Sequence, residues 1–514
     1  LLEIYDIGPN GNQMSFSVRF SWRLSSGFVG PNPINAAIID FDDDQEDEIF
    51  YAMPDGTLYA WDNEQLMPGF PQRRMPVTQP FVWDEDHLYL PMELGPLARL
   101  YKMNSTQGQY VFTQSGASWA SHPVDIGNQL MLPLNVDDGA ELRSYDKNTA
   151  VTTLKLSIGQ PVASNLVWFR NQLSFLTTEP GLYYKLWTYD PANGSSSSLS
   201  LEIPADSTIV GIFKAPLVKG SVDGELIVQT AKAVYVFGSD SEGLPIFVYS
   251  HDSVCTAPLT LADLDVNGSL DIILGTENGV IVLDYSGQRM SPENLEGLSS
   301  EEGGFSAGAL ALDIDLDGKP ELLGSFANNQ IKAWNGSFQL LAGFPDSFAE
   351  RSRNLPLVSK SSDGNRYIWS AADNGSVFRK AIPGPIPTSY DNVWHCEYGN
   401  LKRSASIDPE ALPNSFESTS LFVPGELYIF PNPLKSIYAG QLTLNIMTNR
   451  DAPLEVQIFD IGGKLVYEQK STARAYLRNR ESIRIPVEKM ASGVYITVVK
   501  AGKEAKRLKF AIEN

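Results

Sequence analysis

One short pattern recurs along the chain: a Pro or small residue, an apolar alternation, an acidic or Gly turn, then a second apolar run. Its anchors are Pro33, Pro80, Pro123, Pro161, Pro216, Pro258, Gly308 and Pro356, spaced by 47, 43, 38, 55, 42, 50 and 48 residues. Asp55-Gly56, Asp138-Gly139, Asn278-Gly279 and Asn374-Gly375 follow several anchors, and both members of such pairs tolerate the positive φ of two-residue hairpins. Strand-like runs come next, as in TLYAWD, VIVLDY and QIKAWN. Two units also close alike, AWDNEQLMPGFP at Ala60–Pro71 and AWNGSFQLLAGFP at Ala333–Pro345. A unit of about 45 residues with three or four short strands has the size of a propeller blade. The expected fold is therefore all-β, a seven- or eight-bladed β-propeller, with an array of β-sandwiches as the structural alternative. An α-solenoid would need long helical periodicity, which is missing. Trp and Phe residues at unit ends read as packing between blades.

Charge divides the chain. The 514 residues carry a formal charge of −22. Residues 426–514 hold 14 basic and 9 acidic residues, and residues 1–425 hold 25 and 52. A step of that size marks a domain boundary. The expected organisation is 1–25 as terminal strands of an upstream domain, 26–403 as the propeller, 404–425 as a Ser/Pro/acidic linker, and 426–514 as a small Ig-like β-sandwich. The acidic balance argues against a nucleic-acid partner, which needs a basic face. No apolar run reaches the roughly 18 residues that would span a bilayer. Two cysteines exclude a disulfide scaffold, although Cys255 and Cys396 could pair in an oxidising compartment.

Three units carry a ladder of carboxylates between their first and second strands. DFDDDQEDEIF places Asp40, Asp42, Asp44 and Glu48 at loop positions 1, 3, 5 and 9. DLDVNGSLDII places Asp263, Asp265, Asn267 and Asp271 there, and DIDLDGKPELL places Asp313, Asp315, Asp317 and Glu321. Alternate residues of a tight loop can point at one centre. Ca²⁺ takes six to eight hard oxygens, so such a loop supplies most of a shell, with a backbone carbonyl from position 7: Glu46, Ser269 or Lys319. Without a cation, carboxylates so close repel one another. Gly268 and Gly318 sit where the loop must turn sharply, whereas the first unit has Gln45 there. Asp223-Gly224 and Asp363-Gly364 keep only the turn.

DLDVNGSLDIILG and DIDLDGKPELLGS resemble the calcium loops of FG-GAP and VCBS repeats. That resemblance implies a propeller and bound Ca²⁺, in a family that serves adhesion, glycan binding and sometimes lyase chemistry. The tail resembles the C-terminal sorting domain of the bacterial type IX secretion system, in FPNP at Phe430–Pro433, VQIFDIGGKLV at Val456–Val466, MASGVYITVV at Met490–Val499 and KRLKFAI at Lys506–Ile512. It implies contact with that machinery and a location outside a Gram-negative-type bacterium, released or at the cell surface. Leu1–Phe20, with an Asn10-Gly11 turn, is similar to the strands that end the β-rich region of immune-inhibitor-A-type secreted metallopeptidases. If so, a catalytic domain precedes Leu1.

The four histidines, His87, His122, His251 and His395, form no HExxH, and neither a GxSxG elbow nor a P-loop is present. The expectation is a non-catalytic region that binds a protein or a glycan at a propeller face. The alternatives are the accessory end of a secreted metallopeptidase and a propeller lyase or glycosidase.

Overall fold

The computed structural model describes residues 2–5, 17–20, 22–28, 35–62, 65–178, 183–217, 223–239, 241–255, 257–265, 267, 269–292, 305–315, 319–326, 329–341, 343–347, 352, 355–360, 366–382, 396, 398–407, 422, 427–430, 432–435, 441–446, 452–473, 483–486, 490–502 and 504–513. Among these every regular element is a β-strand. There are two compact units, one comprising Leu1–Leu312 and Lys319–Ser415, the other carrying Phe416–Asn514.

Among the described residues of the first unit, eight antiparallel sheets of three to five strands follow one another along the chain, the arrangement of propeller blades. Each is a meander. The first runs Asn35–Ile39, Glu48–Ala52, Thr57–Asp62 and Gln65–Leu66; the fifth runs Ile209–Ala215, Glu225–Thr230, Ala233–Phe237 and Phe247–Ser250. Second strands are covered on both faces by neighbouring sheets, so they read as continuous runs rather than as alternations. Every residue of Asp271–Thr276, Glu321–Phe326 and Arg366–Ala371 is buried. The expected role of the unit-end aromatics holds at Trp334, fully buried in one cluster with Leu264, Ile273 and Val282 of the sixth sheet and Leu322 of the seventh.

The ring closes in two ways that the repeat does not announce. Ile38, Ile49 and Tyr51 of the first sheet share a core with Leu357 and Trp369 of the eighth. The outer strand of the eighth sheet is Trp22–Phe28, with Trp22 opposite Arg379 and Arg23 opposite Phe378. That strand runs across the boundary expected between residues 25 and 26. The pair Leu2–Tyr5 and Ser17–Phe20 is antiparallel; the Asn10-Gly11 turn lies outside the described residues.

The hairpin glycines differ from expectation in one respect. Gly56, Gly139, Gly279 and Gly375 take positive φ of 83°, 134°, 144° and 86°, while Asp55, Asp138, Asn278 and Asn374 do not. Only the glycine needs the freedom. At Gly56 a Cβ would lie 2.1 Å from the Arg74 carbonyl oxygen, so a side chain has no room. The two similar unit ends also match in detail: Met67 N donates to Ala60 O at 2.9 Å and Leu341 N to Ala333 O at 2.8 Å.

The segment from Cys396 to Ile407 crosses the starts of four consecutive sheets. Trp83 N donates to Leu401 O at 3.1 Å, Asp125 N to Lys402 O at 3.1 Å, Trp168 N to Ser404 O at 2.9 Å and Lys214 N to Ala405 O at 3.1 Å. The Arg403 guanidinium reaches Phe81 O at 2.7 Å. Residues 404–407, at the start of the stretch expected to be a linker, are thus pinned to the propeller, with Ala405 fully buried. Cys255 and Cys396 are both buried and neither is in a disulfide, so the pairing considered from composition is not formed.

The second unit has a three-stranded sheet, Tyr428–Phe430, Gln441–Asn445 and Ile483–Pro486, and a five-stranded one that includes Ala452–Asp460, Gly493–Ala501 and Glu504–Glu513. Leu454, Val456 and Ile458 alternate inward and meet Leu442 and Leu444, the pattern of a small sandwich.

Candidate functional site

The acidic ladders fall in the hairpins between the first and second strands of the first, sixth and seventh sheets. Register fixes position 9 as the opening residue of the second strand: Glu48 lies opposite Ile39, Asp271 opposite Ala262 and Glu321 opposite Leu312. Strand pairing therefore drags one carboxylate of each loop into the core, and all three are fully buried.

The three loops converge in the same way. Carboxylate oxygens of Asp40, Asp42 and Glu48 lie within 4.8 Å of one another, as do those of Asp263, Asp265 and Asp271 and those of Asp313, Asp315 and Glu321. These are positions 1, 3 and 9 each time. Asp317, Gly268 and Gly318 lie outside the described residues.

Backbone amides shape the loops. Glu48 Oε2 accepts from Phe41 N at 2.6 Å, and Asp271 Oδ2 from Leu264 N at 2.9 Å. Position 5 caps the turn: Asp44 Oδ1 accepts from Glu46 N at 2.8 Å and Asn267 Oδ1 from Ser269 N at 2.7 Å. Its own amide bonds back to position 1, Asp44 N to Asp40 Oδ1 at 3.1 Å and Asn267 N to Asp263 Oδ1 at 2.9 Å. Asp44 and Asn267 thus hold the fold of their loops, and Glu46 and Ser269 occupy position 7.

The second oxygens of the buried acids, Glu48 Oε1 and Asp271 Oδ1, have no hydrogen-bond partner among the described residues. Burial pushes Glu48 up to about 8, and the charges of Asp42, Asp44 and Asp62 add to it against the Phe41 amide. Asp271 is pushed up to about 7 by burial, with Asp265, Asp263 and Asp284 adding to it. A buried carboxylate oxygen beside two further carboxylates is costly unless protonated or matched by a cation. The all-oxygen donor set is that of a hard divalent ion.

The fifth sheet keeps one of these bonds without the ladder. Glu225 Oε2 accepts from Leu217 N at 2.8 Å, the bond that Glu48 and Asp271 make, but Pro216 precedes it where the others have an Asp. Asp363-Gly364 lies outside the described residues.

Sequence reading passed over one acidic cluster. Asp84, Asp86 and His87 converge in the corresponding hairpin of the second sheet. Asp84 Oδ2 accepts from Lys147 Nζ and Oδ1 from His87 N, at 2.9 and 2.8 Å. Lys147 Nζ also lies 2.9 Å from Asp125 Oδ1. The signal was present as DEDH after Trp83, at the ladder position, but the lysine comes from another sheet.

Comparison with known proteins adds the following. Residues 428–513 match the family model of the secretion system C-terminal sorting domain. No curated protein matches the chain in sequence. Among solved structures, Sqt1 of Saccharomyces cerevisiae is similar at 12% identity, covering 69% of this chain and 100% of its own, with a TM-score of 0.50. The Dos1 propeller aligns at 11% identity over 71% of this chain and 95% of its own, with a TM-score of 0.46. At 12% identity the likeness to Sqt1 concerns fold alone.

Proposed function

We propose that this chain is the exported binding region of a bacterial surface or secreted protein, in which Ca²⁺ ions hold three propeller hairpins and the tail engages the type IX secretion machinery. The observation that carries the calcium reading is the threefold recurrence of positions 1, 3 and 9 as one carboxylate group with a buried acid. In the first hairpin Asp40, Asp42, Asp44 and Glu48 with the Glu46 carbonyl would hold the ion. In the sixth sheet Asp263, Asp265, Asn267 and Asp271 with the Ser269 carbonyl would do so, and in the seventh Asp313, Asp315, Asp317 and Glu321 with that of Lys319. Bound Ca²⁺ supplies positive charge and a cross-link within each loop. The buried acids fix the ends of the second strands, while the exposed Asp42 and Asp265 close over the ion.

The sorting-domain match supports export, and the propeller with this tail is compatible with a non-catalytic role. A propeller so braced would present its loops to a protein or a glycan. Two measurements test the reading. Metal analysis of purified protein is expected to give about three calcium ions per chain, one for each loop. Glu48→Gln and Asp271→Asn are each expected to remove one; calcium-free protein overturns the metal assignment. Deleting residues 427–514 in the native host is expected to abolish delivery outside the cell, and unchanged delivery overturns the sorting role.

A further inference from the structure

Between the fourth and fifth sheets lies a cleft of about 520 Å³. It belongs to neither the calcium hairpins nor the tail, and its size is that of a small-ligand site. Phe169 ends the strand Val167–Phe169 and forms its inner wall. Two cations flank that one ring: the Arg170 guanidinium carbon is 5.7 Å from the ring centroid and Lys214 Nζ is 5.3 Å from it. The opposite turn, Asp223-Gly224, comes close only because Gly224 lacks a side chain. Its φ is +64°, and a Cβ would stand 2.9 Å from Phe169 Cζ.

Neither Arg170 nor Lys214 forms an ion pair among the described residues. The carboxylate of Glu225 is turned to Leu217 N, and that of Asp223 is exposed. Burial lowers the pKa of Lys214 and Arg170 adds to this, against Asp223 and Glu225. In a region with an acidic excess as large as that of residues 1–425, two adjacent cations left without a salt bridge are conspicuous. A half-buried ammonium gains most from a charged hydrogen-bond partner. Beyond the cations the cleft continues along neutral groups, the hydroxyls of Thr188, Ser197 and Ser239 and the amide of Gln172. An anionic head with a hydroxyl-rich body fits both halves, whereas a bare inorganic anion would use only the first.

We propose that this cleft binds an acidic saccharide, with the carboxylate or sulfate of one sugar on Lys214 and Arg170 and the sugar hydroxyls on Gln172, Thr188 and the serines. This deepens the binding reading above by naming a ligand class, and it does not depend on the calcium hairpins. The test is calorimetric titration of the full chain, at fixed Ca²⁺, with a galacturonate tetrasaccharide, a sulfated oligosaccharide of equal length, a neutral glucose tetrasaccharide and inorganic phosphate. Binding is expected for at least one acidic oligosaccharide and for neither of the other probes. Lys214→Met, which keeps the stem on Phe169, and the exposed Arg170→Gln are each expected to weaken it at least about tenfold. Unchanged melting temperatures would show that both variants fold. Failure of every acidic oligosaccharide, equal binding of the neutral one or of phosphate, or full affinity in both variants overturns the proposal. Binding that survives Lys214→Met and vanishes with chelator places the saccharide on a calcium loop, which overturns the cleft and leaves the calcium reading standing. Binding lost in Lys214→Met by a chain that takes up no calcium supports the cleft and overturns the calcium reading alone.

Discussion

Lys147 places its ammonium 2.9 Å from Asp84 Oδ2, in the hairpin position that the first, sixth and seventh sheets fill with a carboxylate ladder. The same nitrogen is 2.9 Å from Asp125 Oδ1, and all three side chains are largely buried. A lysine of the third sheet is thus set against carboxylates of both the second and the third. Burial opposes ionisation of Asp84, yet Lys147, the His87 amide and the Tyr89 hydroxyl hold it below the usual carboxylate range.

Removing that ammonium leaves two buried carboxylates facing each other. Lys147→Met is expected to cost about 3–5 kcal/mol of stability at neutral pH, measured by urea unfolding. Adding Asp84→Asn in the same chain is expected to recover part of the loss. A cost below about 1 kcal/mol would show that Lys147 is not the internal counter-ion.

The crossing segment makes a second prediction. Leu401, Lys402, Ser404 and Ala405 accept from Trp83, Asp125, Trp168 and Lys214 of the second to fifth sheets, so those amides lose their partners without it. A chain ending at residue 415 is expected to melt at the same temperature as the intact propeller. One ending at residue 399 is expected to melt several degrees lower. Equal melting temperatures would contradict the bracing role.

His122 lies beneath this segment, its ring 4.2 Å from that of Tyr398. Burial, and then the charge of Arg403, lowers its pKa from 6.5 to about 3. The folded state refuses a proton that the unfolded chain accepts, so stability is full above pH 6.5 and is lost as pH falls toward 3. The slope from this group approaches about 1.4 kcal/mol per pH unit well below the unfolded pKa. His122→Phe is expected to flatten the fall between about pH 6 and pH 5. An unchanged slope in the variant would contradict this.

What could be read from sequence was local. The ladders were legible because ligand spacing within one hairpin sets which carboxylates meet, and Glu48, Asp271 and Glu321 enter the core by simple strand register. The repeats were legible because Gly56 and Gly375 mark turns that each blade must make. The remainder depends on contacts distant in sequence. Trp22–Phe28 completes a sheet whose other strands lie beyond residue 356. Residues 404–407 open a stretch rich in Ser, Pro and acids with no periodicity, so they read as linker, although the Ser404 and Ala405 carbonyls serve strands far upstream. Lys147 and the Lys214–Arg170 pair show no motif, because Lys147 meets carboxylates of other turns and strands, and Lys214 and Arg170, 44 residues apart, meet only around the Phe169 ring.

If Ca²⁺ completes the three acidic hairpins, as proposed, the ion must bind the chain and stabilise it. Calorimetric titration of the metal-stripped chain with Ca²⁺, paired with melting curves in Ca²⁺ and in chelator, tests it most directly. Saturable binding is expected, with a melting temperature that rises with Ca²⁺ and loss of part of both in Glu48→Gln and in Asp271→Asn. No heat of binding, with identical melting in Ca²⁺ and chelator, would contradict it.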